Sequence, residues 1–335
     1  MAAHISFKQC FVPKTKEQED KEETTYQRYT EIMSTLPRVR GFALKNLYQH
    51  QGFWYVDSYL PGVMAVQNHF MAHSSDILLA SPPKCGTTWL KSLIFAICNR
   101  KLLHPLLNVN PHQLVPFLEF QLYANNQIPV LDILPSPRLF ATHIPYSSLP
   151  QSILDSGCPI VYICRNPKDA FVSLWHFLNK ISTEESTMPS LEEAFEMFCN
   201  GASHYGPFWD HVLEYWRASL DRPQCVMFFK YEEMQAEVIG HVKRLAEFIR
   251  CPFSLEEEKE GVVDEIIRLC SFENLSRLDV NKAGDALFGK TGIKSNSFFR
   301  KGKVGDWSNY LTPNMIERLD RISEQKFHGY GLTLG

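Results

Sequence analysis

Three times along this chain a short, wholly apolar run leads through a turn into an amphipathic segment, and that recurrence limits the fold more than any other feature. The first instance is Ile77-Leu78-Leu79-Ala80, a turn from Ser81 to Gly86, and a helix expected over about Thr87 to Asn99. Its Trp89, Leu90, Leu93, Ile94 and Ile97 share one face at helical spacing. The second is Ile160 to Cys164, a turn at Arg165-Asn166-Pro167, and a helix from about Lys168 to Asn179. Proline at the helix entry and Asp169 in the first turn mark its start. The third is Val226 to Phe229, a loop holding Tyr231, and a helix from about Gln235 to Ile249. A fourth strand is expected through Leu139-Phe140-Ala141, and Ser254-Leu255-Glu256-Glu257 reads as a capping box opening a further helix. Strands apolar at every position are buried on both faces. Alternating with helices, they predict an α/β chain with a central parallel sheet flanked by helices. Ligands in such folds sit beyond the carboxyl ends of the strands, where these turns fall.

Of the 335 residues, 44% are hydrophobic and 13% aromatic, enough for a large core and for a pocket taking a flat apolar ligand. A net charge of −3 gives no global basic field, so neither nucleic acid nor an anionic membrane is an expected partner. Any anion site must be local. The nine cysteines are scattered without a C-x-x-C pair, and the twelve histidines show no H-x-H or H-E-x-x-H spacing. Neither a disulfide framework nor a metal site is expected. With no apolar-run signal at the start and no run of eighteen apolar residues, a cytoplasmic location is expected. The charge-dense run Lys14 to Thr25 is read as part of a disordered tail over residues 1–25.

The turn Ser81-Pro82-Pro83-Lys84-Cys85-Gly86-Thr87-Thr88-Trp89 gathers what an anion needs. It ends at a helix N-terminus with free N–H groups and a favourable dipole. Gly86 permits close approach, Lys84 brings charge, and Thr87 and Thr88 bring hydroxyls. Its lysine precedes the glycine, so it is not the G-x-x-x-x-G-K-[ST] loop of nucleotidases. A second basic turn, Arg165 to Lys168 with Ser173 two helical turns on, could alone be a solvated strand end. A third, Arg300-Lys301-Gly302-Lys303-Val304-Gly305-Asp306-Trp307, could alone be a charged loop. Together they point to a ligand with two separated anionic groups.

These residues bring a resemblance with them. K-x-G-T-T-W after a strand, C-R-N-P-K-D with a serine eight residues beyond its arginine, and R-K-G-x-x-G-D-W near the C-terminus resemble the plant-type cytosolic sulfotransferases. The nearest likeness is to members acting on flavonols and hydroxyjasmonates. The likeness runs from about Arg28 to the end. It implies a single sulfotransferase domain, taken as residues 26–335, with a P-loop-like phosphosulfate-binding loop. The implied donor is 3′-phosphoadenosine-5′-phosphosulfate (PAPS), with adenosine 3′,5′-bisphosphate (PAP) as product and no metal. By the resemblance, Lys84, Cys85, Gly86, Thr87 and Thr88 surround the 5′-phosphosulfate. Arg165, Ser173, Arg300, Lys301 and Gly302 hold the 3′-phosphate, and Trp89 and Phe272 sandwich the adenine beside Tyr231. His143 is the implied general base and Lys84 the catalytic cation. From the residues alone, Trp89 also fits a core position, and His143, between a strand and a proline, also fits a packed histidine.

The implied acceptor is a small hydroxylated molecule: a flavonol or other phenolic, or a hydroxyjasmonate. A steroid such as a brassinosteroid, or a desulfo-glucosinolate, is an alternative. Trp54, Phe117, Phe120 and Tyr146 are candidate walls for its pocket, although aromatic residues also fill cores. A nucleotide kinase or an inactive nucleotide-binding module would share the phosphate loop and the basic turns. Several positions depart from the family. Ala141 stands where many animal members have lysine, two residues before the histidine. Cys85 replaces serine or threonine, and Pro82 and Cys270 replace a usual tyrosine and threonine. The animal dimer motif K-x-x-x-T-V-x-x-x-E reads here Ser308…Thr312-Pro313…Glu317, so a monomer is expected.

Overall fold

The computed structural model describes residues 7–42, 46–101, 104–182, 188–284 and 293–335. Its centre is a four-stranded parallel sheet in the order β5-β4-β6-β7. The strands are β4 (Ile77–Ala80), β5 (Leu139–Thr142), β6 (Ile160–Cys164) and β7 (Val226–Lys230). In register, Leu79 faces Ala141 on one side and Val161 on the other. Side chains alternate between two cores. Leu78, Ala80, Phe140 and Tyr162 face one, and Ile77, Leu79, Ala141 and Val161 face the other beside helix α3 (Thr87–Cys98). The continuous apolar runs of the sequence follow from this burial on both faces.

A second sheet is antiparallel, β1-β2-β3: β1 (Arg38–Arg40), β2 (Asn46–His50) and β3 (Phe53–Val56). A turn at Gln51 and Gly52, with φ of 52° and 86°, closes the β2–β3 hairpin. The main chain of β3 is tied to residues 205–206: Trp54 N–H donates to the Gly206 carbonyl, and the Tyr205 N–H to that of Trp54, each at 2.8 Å.

Two expectations need correcting. The stretch expected as a disordered tail is structured from Phe7 onward, with a 3-10 turn at Phe7–Cys10 and helix α1 at Lys16–Ser34. A capping box between Thr15 and Gln18 starts α1. Buried Tyr26 anchors it by donating its hydroxyl to the carbonyls of Tyr123, at 2.9 Å, and Gln127, at 3.1 Å. The charge-dense run is the solvent face of a docked helix, so its composition conceals the anchor. The third helix, expected to be continuous from Gln235, instead starts at Tyr231 and is split into Tyr231–Ala236 and Val238–Phe248. Glu237 breaks it by capping the second piece, accepting the Gly240 N–H at 3.0 Å. The capping box at Ser254 is present and opens the helix Leu255–Lys259.

Candidate active site

The loop from Ser81 to Gly86 leaves β4 and delivers the open N-terminus of α3 to the carboxyl edge of the sheet. Its backbone is left-handed at Lys84 (φ 68°) and Gly86 (φ 102°). A Cβ on Gly86 would lie 2.7 Å from the Tyr231 ring, so both conformation and space demand glycine there. The hydroxyls of Ser81 and Thr87 are 2.7 Å apart, and Thr88 Oγ1 is 3.1 Å from His112 Nε2. The Lys84 ammonium lies 3.9 Å from the centre of the Phe177 ring. Burial first, then the nearby Arg300, Arg165 and Lys180, draws this lysine down to about 7. An anion in the loop reverses that pull. Cys85 points away from the opening into the core, its thiol 3.7 Å from the Pro83 carbonyl, and burial pushes its acidity well down. It is an inert small side chain.

The two other basic segments meet beside this loop. Arg165, after β6, donates from Nη2 to the Lys303 carbonyl at 2.5 Å and pairs with Asp169 at 3.2 Å. Its guanidinium lies 4.7 Å from the Tyr231 ring centre. Fully buried Asp169 accepts the backbone N–H groups of Gly305 at 2.8 Å and Trp307 at 3.1 Å, docking the C-terminal segment onto the Pro167–Ile181 helix. A Cβ on Gly302 would come within 2.5 Å of Phe272, so that backbone hugs the ring. Arg300 and Lys301 both pair with Asp306. Nε of Arg165 and Nε of Arg300 are nevertheless buried with no hydrogen-bond partner. Unsatisfied buried donors are rare in a finished structure, and two beside one opening suit an anion with several acceptor oxygens.

His143 follows β5, the other neighbour of β4. Its Nδ1 is 2.7 Å from the Ser81 carbonyl, an atom that can only accept, so Nδ1 carries the proton and Nε2 keeps its lone pair. Burial is the main reason the imidazole is held at about 3. Its main chain is gripped on both sides. His143 N–H donates to Glu119 Oε1 at 2.8 Å, and His211 Nε2–H donates to the His143 carbonyl at 2.9 Å.

The loops after β4, β5 and β6, three adjacent strands, open into one cavity of about 790 Å3. Lys84, Gly86, Thr87, Thr88, Trp89 and His143 line it, as do Arg165, Ser173, Tyr231, Phe272, Arg300, Lys301 and Gly302. Trp89 meets Tyr231 edge-on at 5.6 Å. Of the expected acceptor walls, Phe117 and Phe120 are present, 4.3 Å apart. Trp54 and Tyr146 are not in the lining, which corrects both placements. Trp54 sits opposite Gln49 in the antiparallel sheet, and Tyr146 packs edge-on against Tyr215 at 5.4 Å. Tyr59, Tyr205, Phe177 and Phe298 line the cavity without having been anticipated. Tyr59 lies 5.1 Å from Phe120, and Phe177 lies 5.3 Å from Phe298. No motif carries them, since each comes from a different part of the chain. Glu119 did leave a trace: a lone carboxylate in the apolar run Leu114 to Leu122 must be buried and must have partners. Among the described residues no three metal-ligating side chains gather, and no helix is long and apolar enough to cross a membrane.

Comparison with known proteins agrees with this geometry. The sequence pattern of the sulfotransferase domain matches residues 74–331. Cytosolic sulfotransferase 13 of Arabidopsis thaliana is 49% identical over 90% of this chain and 92% of its own length. Cytosolic sulfotransferase 14 of the same plant is 42% identical over 98% of both chains. A solved Arabidopsis thaliana protein described as a candidate steroid sulphotransferase superposes with a TM-score of 0.74 at 40% identity, covering 97% of this chain and all of the other. A mouse sulfotransferase complexed with PAP gives 0.67 at 26% identity, over 84% of this chain and 94% of its own. An open helix N-terminus with a basic wall on one side and an unprotonated imidazole on the other is therefore found in a chain that belongs to the sulfotransferase family, as a plant-type cytosolic member and a transferase of sulfo groups.

Proposed function

We propose that the chain moves the sulfuryl group of PAPS onto a hydroxyl of a small, uncharged aromatic acceptor such as a flavonol or another phenolic. One observation carries this reading: Lys84 and the Nε2 face of His143 open into the same cavity from adjacent strands. The two buried arginine Nε atoms that lack a hydrogen bond, that of Arg165 lying 4.0 Å from Glu232, and the glycines at 86 and 302 fit a nucleotide with phosphates at both ends. Lys84 with the Gly86–Thr88 backbone and hydroxyls holds the 5′ end. Arg165, Ser173, Arg300 and Lys301 hold the 3′-phosphate, and Trp89, Phe272 and Tyr231 surround the purine. When bound, the donor supplies a sulfuryl group activated by its anhydride link to phosphate. His143 takes the acceptor's hydroxyl proton on Nε2, while Nδ1–H stays on the Ser81 carbonyl and fixes the ring. Lys84 neutralises charge growing on the departing phosphate oxygen.

The lining assigned to the acceptor is dominated by aromatic and aliphatic side chains, Tyr59, Phe117, Phe120, Phe177, Ile293 and Phe298, with neutral polar Ser58, Asn125 and Ser182 also on the cavity wall. Among the described residues every lysine and arginine on the cavity wall, Lys84, Arg165, Arg300 and Lys301, belongs to the donor end. A carboxylated acceptor such as a hydroxyjasmonate meets no further lysine or arginine among the described residues there, Lys84 beside the Phe177 ring being engaged by the donor in this reading, which supports the uncharged phenolic. The test is incubation with radiolabelled PAPS and matched acceptors: flavonols, a steroid, a desulfo-glucosinolate, a hydroxyjasmonate and its methyl ester. Labelling of a flavonol at the lowest concentration, undiminished by EDTA, is the expected result. No labelled acceptor at all, or preference for the free hydroxyjasmonate acid over its ester, overturns the reading.

A further inference from the structure

The transfer step leaves two buried charged groups next to His143 unused. Glu119 lies on a single π-helical turn, Leu118–Leu122, and is 1% exposed. Its Oε1 accepts the His143 N–H at 2.8 Å, and its Oε2 accepts the Thr142 hydroxyl at 3.0 Å. Both oxygens are thus committed to the end of β5. The turn itself is pinned by α2 (Leu60–His69), where a Cβ on Gly62 would fall 1.9 Å from the Glu119 carbonyl oxygen. Lys91, one turn into α3, is wholly buried, and its ammonium has no hydrogen-bond partner. It rests 3.3 Å from the centre of the Phe117 ring, and that ring lies 4.7 Å from the His143 ring. Through its main chain, Phe117 also bridges to Ala141 in β5.

A lone buried ammonium is costly, and one aromatic face compensates only part of the cost. The same is true of a buried carboxylate whose partners are neutral donors. Burial draws the Lys91 ammonium well below the ordinary lysine value and pushes the Glu119 carboxyl up to about 7, and Glu119 is the acidic side chain that pulls Lys91 back toward its charged form. Resting on the reading of His143 as the base, we propose that Glu119 and Lys91 are a positioning pair: Glu119 fixes the strand end from which His143 projects, and Lys91 supplies the buried positive charge that balances Glu119.

Lys91 has a second effect. The titratable groups facing His143 are Lys91 from α3, Lys84 from the loop, His211 from the Phe208–Asp221 helix, Glu119 from the π-turn and Tyr205. Burial is the first reason the imidazole resists a second proton, and the cations among these groups add to it, so Lys91 helps to keep the base uncharged before the acceptor arrives.

The test compares Lys91→Met, Glu119→Gln and the double variant, each followed by kcat against pH, acceptor KM, PAP affinity and thermal melting. Each single change is expected to lower kcat about tenfold or more, with PAP affinity and KM within about twofold. The double variant should be faster than the product of the single losses, because it strands no charge. In Lys91→Met the acid limb of kcat should move to higher pH, because the cation opposing imidazole protonation is gone. Wild-type kcat in both singles, strictly multiplicative losses, or an unmoved acid limb in Lys91→Met each overturns the proposal. Should the variants fail to fold, nitrogen NMR of the intact wild-type protein decides. A Lys91 Nζ signal of a charged ammonium at about pH 7 supports the pair, and that of a neutral amine overturns it. Failure of the base reading is told apart by His143→Ala, whose retained activity would remove the premise without bearing on the pair.

Discussion

The two ends of the cavity are built on opposite plans. The donor end is made of backbone and charge: the turns after β4 and β6, the stretch Arg300–Gly302, two left-handed glycines pressed against aromatic rings, and arginines braced by buried acids. The acceptor end is made of rings from unrelated segments: Tyr59 before α2, Phe117 and Phe120 at the π-turn, and Phe177 and Phe298, in contact although far apart in sequence. A ligand common to every turnover is gripped by short contiguous stretches. A ligand that sets specificity is shaped by side chains that can change one at a time. His143 sits at the border and belongs to both.

This contrast can be broken by experiment. The largest effect is expected at the border. His143→Ala should lower kcat by about 10²–10⁴-fold while PAP still binds, and full activity would end its assignment as the base. Arg165→Ala should weaken PAP binding by about ten- to a hundredfold, the worth of charge-assisted hydrogen bonds, and equally for every acceptor. A change in acceptor ranking would mean that the ends are not separate. Phe120→Leu should do the reverse, shifting kcat/KM between two acceptors by about tenfold with donor binding intact. The smallest effect concerns pH. The empty-site Lys84 loses its proton at about 7. Donor affinity should therefore be full below that value and fall as pH rises through it, by at most about tenfold per unit. A flat calorimetric profile from pH 6 to 9 would contradict this.

What could be read from the sequence follows the same division. Ile77 to Trp89 carries strand, turn, anion loop and helix in one stretch, because backbone geometry and phosphate chemistry both act locally. The parallel sheet was legible because burial on both faces leaves no polar position in Ile160 to Cys164. The acceptor walls were not, since Trp54 and Tyr59 look alike on paper and only the tertiary path of the chain sends one to a sheet and the other to the cavity. Lys14 to Thr25 misled for a related reason. Most of its charges face water, and the hold on the protein comes from Tyr26 and Tyr29, just beyond the run, and from Lys14, which joins Glu22 to the Ile128 carbonyl.

Asp169 has a consequence for synthesis on the ribosome. Its carboxylate is fully enclosed and satisfied by amides near the very end of the polypeptide, at Gly305 and Trp307. Until those residues emerge from the exit tunnel, the carboxylate has Arg165 alone to answer it and the nucleotide wall lacks one side. Chains terminated before Gly305 are therefore expected to be both inert and poorly packed.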